Sequence, residues 1–300
     1  RCSHEQASLR GAGREAWSGA VHGLTSRRGV LLVVPALAAI ALVAIAPMAW
    51  TVLESLHLHD LRMPWLGRPF VGLDNYIEAF TDQRFRDAVL HTTAFVAASV
   101  TLELGLGLVY ALAMSRALRG RAFIRVIVLM SWAVPTVVAA MIWRFLFEGS
   151  SFNWFADPVA AWVPIVLADA WKMTPFVALL LLAGLESIDP SLYDAARMDG
   201  AGDWRQFREI TLPLLRPALL VAILFRALDA FRVFDLIYVL TGGGPGTSTE
   251  PLSLYTFNTL LQHLRFGYGS ALSVLIFLVT FMLALVYIRL AGRTLLEERA

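Results

Sequence analysis

Six apolar stretches, each 21 to 27 residues long, decide what this chain can become. They lie at 29–53, 88–114, 126–147, 159–185, 217–240 and 271–291. About 20 apolar residues in a helix span the ~30 Å of hydrocarbon in a bilayer. Within that layer every backbone N–H and C=O must find a partner in protein, so each run reads as a helix. Pro135, Pro164 and Pro175 interrupt two of the runs, and neighbouring helices can cover the groups freed at such kinks. The composition agrees: 58% hydrophobic and only 16% charged residues exclude the pair of soluble domains that 300 residues would otherwise allow. The expected architecture is an all-α, polytopic integral membrane protein with six transmembrane helices. It comprises a polar, disordered tail over 1–28, a six-helix domain over 29–291 and a short tail over 292–300. The first run has a rival reading as a signal peptide, with Arg27-Arg28 ahead of it and Ala44-Ile45-Ala46 as a cleavage site. The apolar run continues beyond Pro47, which favours a retained helix.

Charge sets the orientation. Arg10, Arg14, Arg27 and Arg28 precede the first run; Arg116, Arg119, Arg121 and Arg125 follow the second; Arg197, Arg205, Arg208 and Arg216 follow the fourth. The loop after the third has no Lys or Arg, and that after the fifth has only Arg265. The excess of arginine places both termini and the loop at 187–216 in the cytoplasm. One segment departs from the rule: 54–87 carries Arg62, Arg68, Arg84 and Arg86 and reads as a folded outer loop. A net charge of +2, dispersed along the chain, gives no basic patch for nucleic acid. Cys2 is the only cysteine, so neither a disulfide framework nor a thiolate metal site exists within one chain. His91 has no second His or carboxylate at ligand spacing and reads as a polar residue near the membrane interface.

Charges inside the membrane are the candidates for function. The fifth run carries Arg226, Asp229, Arg232 and Asp235, three apart and alternating in sign, which on one helix would form a slowly winding stripe. A charge at mid-membrane costs about 2.5–3.5 kcal/mol on insertion scales and faces a bundle interior or a water-filled cavity. Two readings stay open: the stripe lines a translocation path, or its members neutralise one another and fix packing. Glu103, Arg144, Asp169 and Lys172 are further intramembrane polar groups, with Asp169 and Lys172 spaced for a mutual ion pair. Asp229, Arg232, Asp235, Tyr238 and Lys172 form the candidate pathway set. Trp132, Trp143 and Trp171 suit either stacking on a sugar ring or packing.

No Gly-Lys-Ser/Thr follows the one Gly-rich stretch, so a phosphate-binding loop is excluded, and no nucleophile–base pair appears. The chain is not an enzyme and binds no cofactor of its own.

The polar stretch at 187–217 separates the fourth and fifth runs. Asp189-Pro190 opens a short helix that Ser191 or Asp194 caps. Asp199-Gly200 closes it, and a second short helix over 204–210 is stopped at Leu212-Pro213. Asp194-Ala195-Ala196, Gly200, and then Ile210-Thr211-Leu212-Pro213 resemble the EAA loop of ATP-binding-cassette importer permeases, with Asp194 where that family usually has Glu. The resemblance implies a coupling helix that docks into a cleft of an ATPase subunit, through Asp194, Ala195, Ala196, Asp199, Gly200, Ile210, Leu212 and Pro213. Phe234 to Pro245, F-D-L-I-Y-V-L-T-G-G-G-P, is similar to the T-G-G-G-P element of MalF-like carbohydrate-importer permeases, and Gly72-Leu73-Asp74-Asn75-Tyr76 to their G-L-x-N-Y element.

In that family the loop with Gly243, Gly244 and Pro245 lies outside and meets a solute-binding protein. Without the resemblance it is a flexible turn leaving the membrane. The stretch at 252–266 is expected along the interface, with Tyr255, Asn258 and Gln262 at the pathway mouth. The stretches around Trp171-Lys172 and 224–243 are similar to actinobacterial trehalose permeases. The resemblance covers 29–291 and implies a sugar permease subunit of a bacterial inner membrane. Its partners would be a second homologous permease, two cytoplasmic ATPase subunits that bind ATP and Mg, and an extracellular or lipid-anchored solute-binding protein. A permease for a non-sugar solute such as a glycerol-phosphate ester or polyamine, or an ion-coupled carrier, are the alternatives.

Overall fold

The computed structural model describes residues 27–116 and 121–297, and its framework is helical. Most of the expected N-terminal tail, Arg119 and the last residues of the C-terminal tail lie outside the described residues. Among the described residues, five helices are long and apolar enough to cross a membrane: Val34–Ser55, Gln83–Ser115, Trp162–Glu186, Asp203–Ala230 and Phe266–Arg289. The first is built from α1 (Arg27–Ile40), a π turn at Ala41–Ile45 and α2 (Ala46–Ser55). It runs on through Pro47, and its apolar window buries nothing against the rest of the chain. Two of the six expected runs are divided, and both divisions matter.

The third run is two helices. The short α3 (Asp74–Thr81) and the long α4 (Gln83–Arg116) precede it; α5 (Arg121–Ala133) and α6 (Thr136–Glu148) then meet at Pro135, whose backbone is extended at φ −55°, ψ 139°. Proline lacks the N–H that would continue the ladder and forces its predecessor out of helical geometry. The carbonyls of Trp132 and Val134 at this break accept from Lys172 Nζ at 3.3 and 2.6 Å. Lys172 lies on α7 (Trp162–Glu186) and makes no ion pair with Asp169, contrary to expectation. Its protons are spent on the broken helix, which is a stronger demand in a place without water.

The fifth run also divides. Past α8 (Pro190–Met198) and α9 (Asp203–Gln206), α10 (Leu212–Ala230) ends at Ala230, and α11 (Asp235–Leu240) begins after a turn. Arg226, Asp229, Arg232 and Asp235 therefore do not share one helical stripe. No Pro or Gly marks the break; the freed carbonyl of Val233 accepts from Ser253 Oγ, brought in from elsewhere in the chain. The second short helix is not stopped at Pro213 either. A π turn at Phe207–Thr211 leads from α9 straight into α10, with Pro213 in its first turn. The wider turn gives the proline ring room against the preceding carbonyls.

The centre of the bundle is α4, α7 and α10. Close backbone approach explains two glycines: a Cβ on Gly107 would sit 2.6 Å from Val177 Cγ1, and one on Gly184 2.5 Å from Ala218 Cβ. Small residues at helix crossings are how membrane helices gain packing where no hydrophobic drive exists. Ala111, Met114, Val177, Ala178, Leu181, Leu215 and Ala222 fill this seam.

α12 (Leu252–Phe257) and the start of α13 (Phe266–Glu297) close one end of the bundle with the segment at 54–82. Gly267 N donates to His59 O at 3.0 Å, and Leu61 N to Leu264 O at 3.0 Å. Asn75 is buried and donates to the carbonyls of Ser55 and His57 at 2.7 and 3.0 Å, which ties the expected outer loop to the end of the first span.

Candidate functional site

α7 holds two polar sites apart. At its start, Trp162 Nε1 donates to Ser248 O at 3.1 Å; at its end, Glu186 takes Arg125 Nη2 at 2.5 Å. The helix has 25 residues, roughly 37 Å at 1.5 Å per residue. The Gly-rich loop therefore belongs to one end of the bundle and the stretch at 187–211 to the other.

Between the ends lies a buried ion-pair cluster. Arg226, 1% exposed on α10, donates Nη2 to Glu103 Oε1 on α4 at 2.8 Å and to Asp169 Oδ2 on α7 at 2.9 Å. Its Nε also meets Glu103, and its Nη1 reaches Asp229 Oδ2 at 2.5 Å. A planar guanidinium can serve three carboxylates at once because its five N–H groups form a fixed fork. Removing one partner from such a site costs about 3–5 kcal/mol, since the other charges stay buried without compensation. The sequence named Glu103, Asp169 and Arg226 as intramembrane polar residues but did not join them. Glu103 and Arg226 are 123 positions apart, and no spacing rule connects them.

A cavity of about 390 Å³ opens beside this cluster, between α7, the turn at 231–234 and the α5–α6 break. Asp169, Lys172, Asp229, Arg232 and Asp235 line it, with Trp132 and Phe234 among the other walls. Four of the five expected pathway residues thus meet at one cavity. Tyr238 is not among its lining residues; its ring stacks on Phe234 at 5.4 Å. Trp143 and Trp171 pack on each other at 6.2 Å, while Trp132 faces the cavity.

The Gly-rich loop is a bonded turn rather than a slack one. Gly242 and Gly243 take φ +61° and +91°, which L side chains rarely adopt. Thr249 N donates to Gly243 O at 3.1 Å and Thr249 Oγ1 to Gly244 O at 2.8 Å. Gly243 is buried, Gly244 and Pro245 are half-buried, and Gly242, Gly246 and Thr247 stand exposed. Glu250 behind the loop is buried and takes both Arg84 Nε and Nη2 at 2.7 and 2.8 Å. Asn258 donates to the same carboxylate at 2.7 Å, and Tyr255 donates to Asp82 at 2.5 Å. Burial, with Asp82 beside it, pushes the Tyr255 hydroxyl up to about 12. Tyr255 and Asn258 are thus internal fastenings, not pathway-mouth groups. The stretch at 252–259 packs inside this end instead of lying along an interface, because its hydroxyls and amide find partners there.

The other end is bare. α8 buries none of its residues. Asp189 is its cap, accepting from Ser191 N at 2.9 Å, so neither Ser191 nor Asp194 does that work. The same bond holds the Asp189 carboxyl below its ordinary range. Gly200 stands at φ +76°, the left-handed residue that ends the helix as expected. Asp194 pairs only with Arg197 on its own helix, at 3.1 Å. Ala195 is exposed and Ala196 half-buried on the same helix; Asp199 is its C-cap, and Met198 is 88% exposed. Ile210 and Leu212 lie in and just after the π turn, partly buried, so they support the bend rather than extend the exposed surface.

Long apolar helices around a buried charge cluster and cavity, with a stripped polar helix at one end, define the membrane-embedded subunit of a transport system. Residues 103–297 match the model of the binding-protein-dependent transport system inner membrane component family, and the chain belongs to that family. It is 41% identical over 278 residues to the trehalose/maltose transport system permease protein MalF of Thermococcus litoralis, covering 88% of this chain and 93% of that protein. It is 38% identical over 276 residues to the trehalose transport system permease protein SugA of Mycobacterium tuberculosis, covering 89% of each. Its fold is shared with a chain of a bacterial alginate ABC transporter crystallised with an alginate pentasaccharide-bound periplasmic protein. There the TM-score is 0.74 at 20% identity, over 88% of this chain and 94% of that one.

Proposed function

We propose that this chain is one of two permease subunits of an ATP-driven importer that carries a sugar, a disaccharide of the trehalose or maltose kind, inward across the plasma membrane. In this reading the chain crosses six times, the α5–α6 pair making the third crossing, with both termini and the end that carries α8 in the cytoplasm. α8, Gly200 and the π turn form the element that two cytoplasmic ATPase subunits grip, while the Gly-rich end meets a solute-binding protein. ATP and Mg are bound by those ATPases. The observation that carries the reading is α8 itself. A nine-residue helix with no buried residue and a glycine-set stop, tied to the π turn by the Tyr193–Thr211 hydroxyl contact at 3.0 Å, presents an open surface that a docking cleft would cover. The arginines beside it support the cytoplasmic placement. The sugar rests on what the relatives transport.

Closure of the ATPase pair would move α8 and, through the continuous π turn, tilt α10, which holds Arg226 and one wall of the cavity. The bundle thereby alternates between an outward and an inward opening. The test is co-purification of the tagged chain followed by reconstitution. Expected companions are an ATPase and a second permease, with trehalose or maltose uptake that needs ATP and a binding protein. Return of the chain without a nucleotide-hydrolysing companion, or uptake that proceeds without one, overturns the assignment.

A further inference from the structure

The cavity wall is unevenly charged: Asp169, Asp229 and Asp235 face Lys172 and Arg232. Behind the wall, Arg226 and Glu103 are both fully buried and paired with each other. Lys172 is committed to backbone, to Trp132 O and Val134 O, whereas Arg232 spends only Nε, on Leu228 O at 3.3 Å. The carboxylates are freer. Asp229 is 57% exposed and held through Oδ2 alone, and Asp235 makes no hydrogen bond or ion pair with any described residue. A carboxylate only accepts hydrogen bonds, so the three aspartates make this wall rich in acceptors. It also carries a surplus of negative charge, in surroundings where charge acts at longer reach than in water.

We propose that Arg226 is a positioning residue that holds Asp169 and Asp229 in place as hydrogen-bond acceptors on the cavity wall, so that the cavity takes an uncharged, hydroxyl-bearing solute and rejects an anionic one. The inference rests on the reading of the chain as a sugar permease subunit and goes beyond it by assigning the charge selection to one buried guanidinium. Three carboxylates left without Arg226 would repel one another, and the relief open to them is to swing apart. That movement takes acceptors away from the wall. A hydroxyl of a neutral sugar donates to such a carboxylate, whereas a phosphate or sulfonate meets like charge. Lysine in place of arginine keeps the charge but not the fork, so it can hold one or two of the three carboxylates and not all of them.

The test uses the assembled transporter in nanodiscs without its binding protein. Trehalose, trehalose 6-phosphate and spermidine are titrated while tryptophan fluorescence is followed, because Trp132 stands on the cavity wall. The wild type is expected to bind trehalose and to bind the phosphate at least tenfold more weakly. Arg226→Lys should weaken trehalose binding by about tenfold, equal to about 1.4 kcal/mol. In uptake it should raise KM by more than it lowers the maximal rate, whereas a merely structural loss would lower the maximal rate with KM unchanged. Asp229→Asn, on the exposed side of the cluster, provides a variant that leaves the bonds of Arg226 to Glu103 and Asp169 in place and changes only the third partner. It should bring the phosphate to within about threefold of trehalose. Unaltered trehalose binding in Arg226→Lys, unaltered rejection of the phosphate in Asp229→Asn, or tighter binding of spermidine than of trehalose by the wild type overturns the inference. A wild-type complex that hydrolyses ATP yet responds to none of the three probes overturns the sugar reading beneath it.

Discussion

Glu250 and Glu209 are both paired to an arginine, one at each end of the bundle, and the pairs have little else in common. Glu250 is 3% exposed in its side chain, takes two bonds from Arg84, 166 positions away, and a third from Asn258. Glu209 is 59% exposed and meets Arg205 one helical turn away, at 2.9 Å. The same contrast holds for the neighbours. Asp60, Asp82 and Glu78 fasten the segment at 54–82 to Arg265, Tyr255 and Tyr268, while Asp194, Arg197, Met198 and Trp204 face outward with nothing from a distant part of the chain. One end is finished by its own chain and the other is left for something else to finish. Buried pairs hold a shape; exposed pairs contribute little to stability, so evolutionary cost at the bare end has to be justified by contact with a partner.

The sharpest break in that comparison comes from the bare end. Gly200→Asp puts a side chain at φ +76°, where L residues are strained by roughly 1–2 kcal/mol, and alters the path from α8 to the π turn. The protein should still insert and assemble, because nothing buried is touched, yet uptake in cells should fall to background while ATPase activity continues uncoupled. Asp194→Lys should act in the same direction. Normal import by both variants removes the coupling role from this end. At the finished end, Arg84→Ala strands Glu250 and should cost about 2–4 kcal/mol, read as a lower melting temperature of the purified protein. Removing Glu250 as well should return part of that loss, which a simple loss of packing would not do.

A smaller effect separates the ends by pH. Bonds from Arg62 hold the Asp60 carboxyl below its ordinary range, with the charge of Arg265 adding to this. A depressed carboxyl contributes stability above its unfolded value near 4 and loses it as pH falls through the lower folded value. Thermal stability attributable to Asp60 should be level from pH 7 to about 5 and decline only below about 4. Asp60→Asn should flatten that decline. A decline that begins near pH 6, or one unchanged in Asp60→Asn, assigns the acid sensitivity to other groups.

Five of the six apolar runs were legible as long membrane-crossing helices because hydrocarbon leaves the backbone one solution, and Gly200 because only a glycine stops a helix so cheaply. The cut in the third run was written at Pro135, yet what completes it, Lys172 on another helix, was not. The cut at 231–234 carries no local signal at all. Arg226, Asp229, Arg232 and Asp235 have helical spacing, and the turn exists because Ser253 takes the carbonyl of Val233 and Glu103 and Asp169 draw Arg226 inward. Periodicity reports neighbours within one element; it is silent on partners 20 to 123 positions away. For the same reason Tyr255 and Asn258 read as pathway groups from their type and turned out to be fastenings.

The smallest expected effect carries the comparison furthest. Arg205→Ala deletes an exposed pair one turn long and should change the stability of the isolated protein by no more than about 0.5 kcal/mol. Salt should erase even that, since exposed charges are screened beyond about 8 Å at physiological ionic strength. The same substitution in the assembled transporter is a different experiment, because a cleft that closes over this end excludes water and raises the worth of every charge inside it. A stability unchanged in the free chain together with a measurable loss of ATPase retention in the complex is the signature of an end completed by a partner. A loss of 2 kcal/mol or more in the free chain would instead mean that Arg205 is fastened inside the fold, and the two ends would no longer differ in kind.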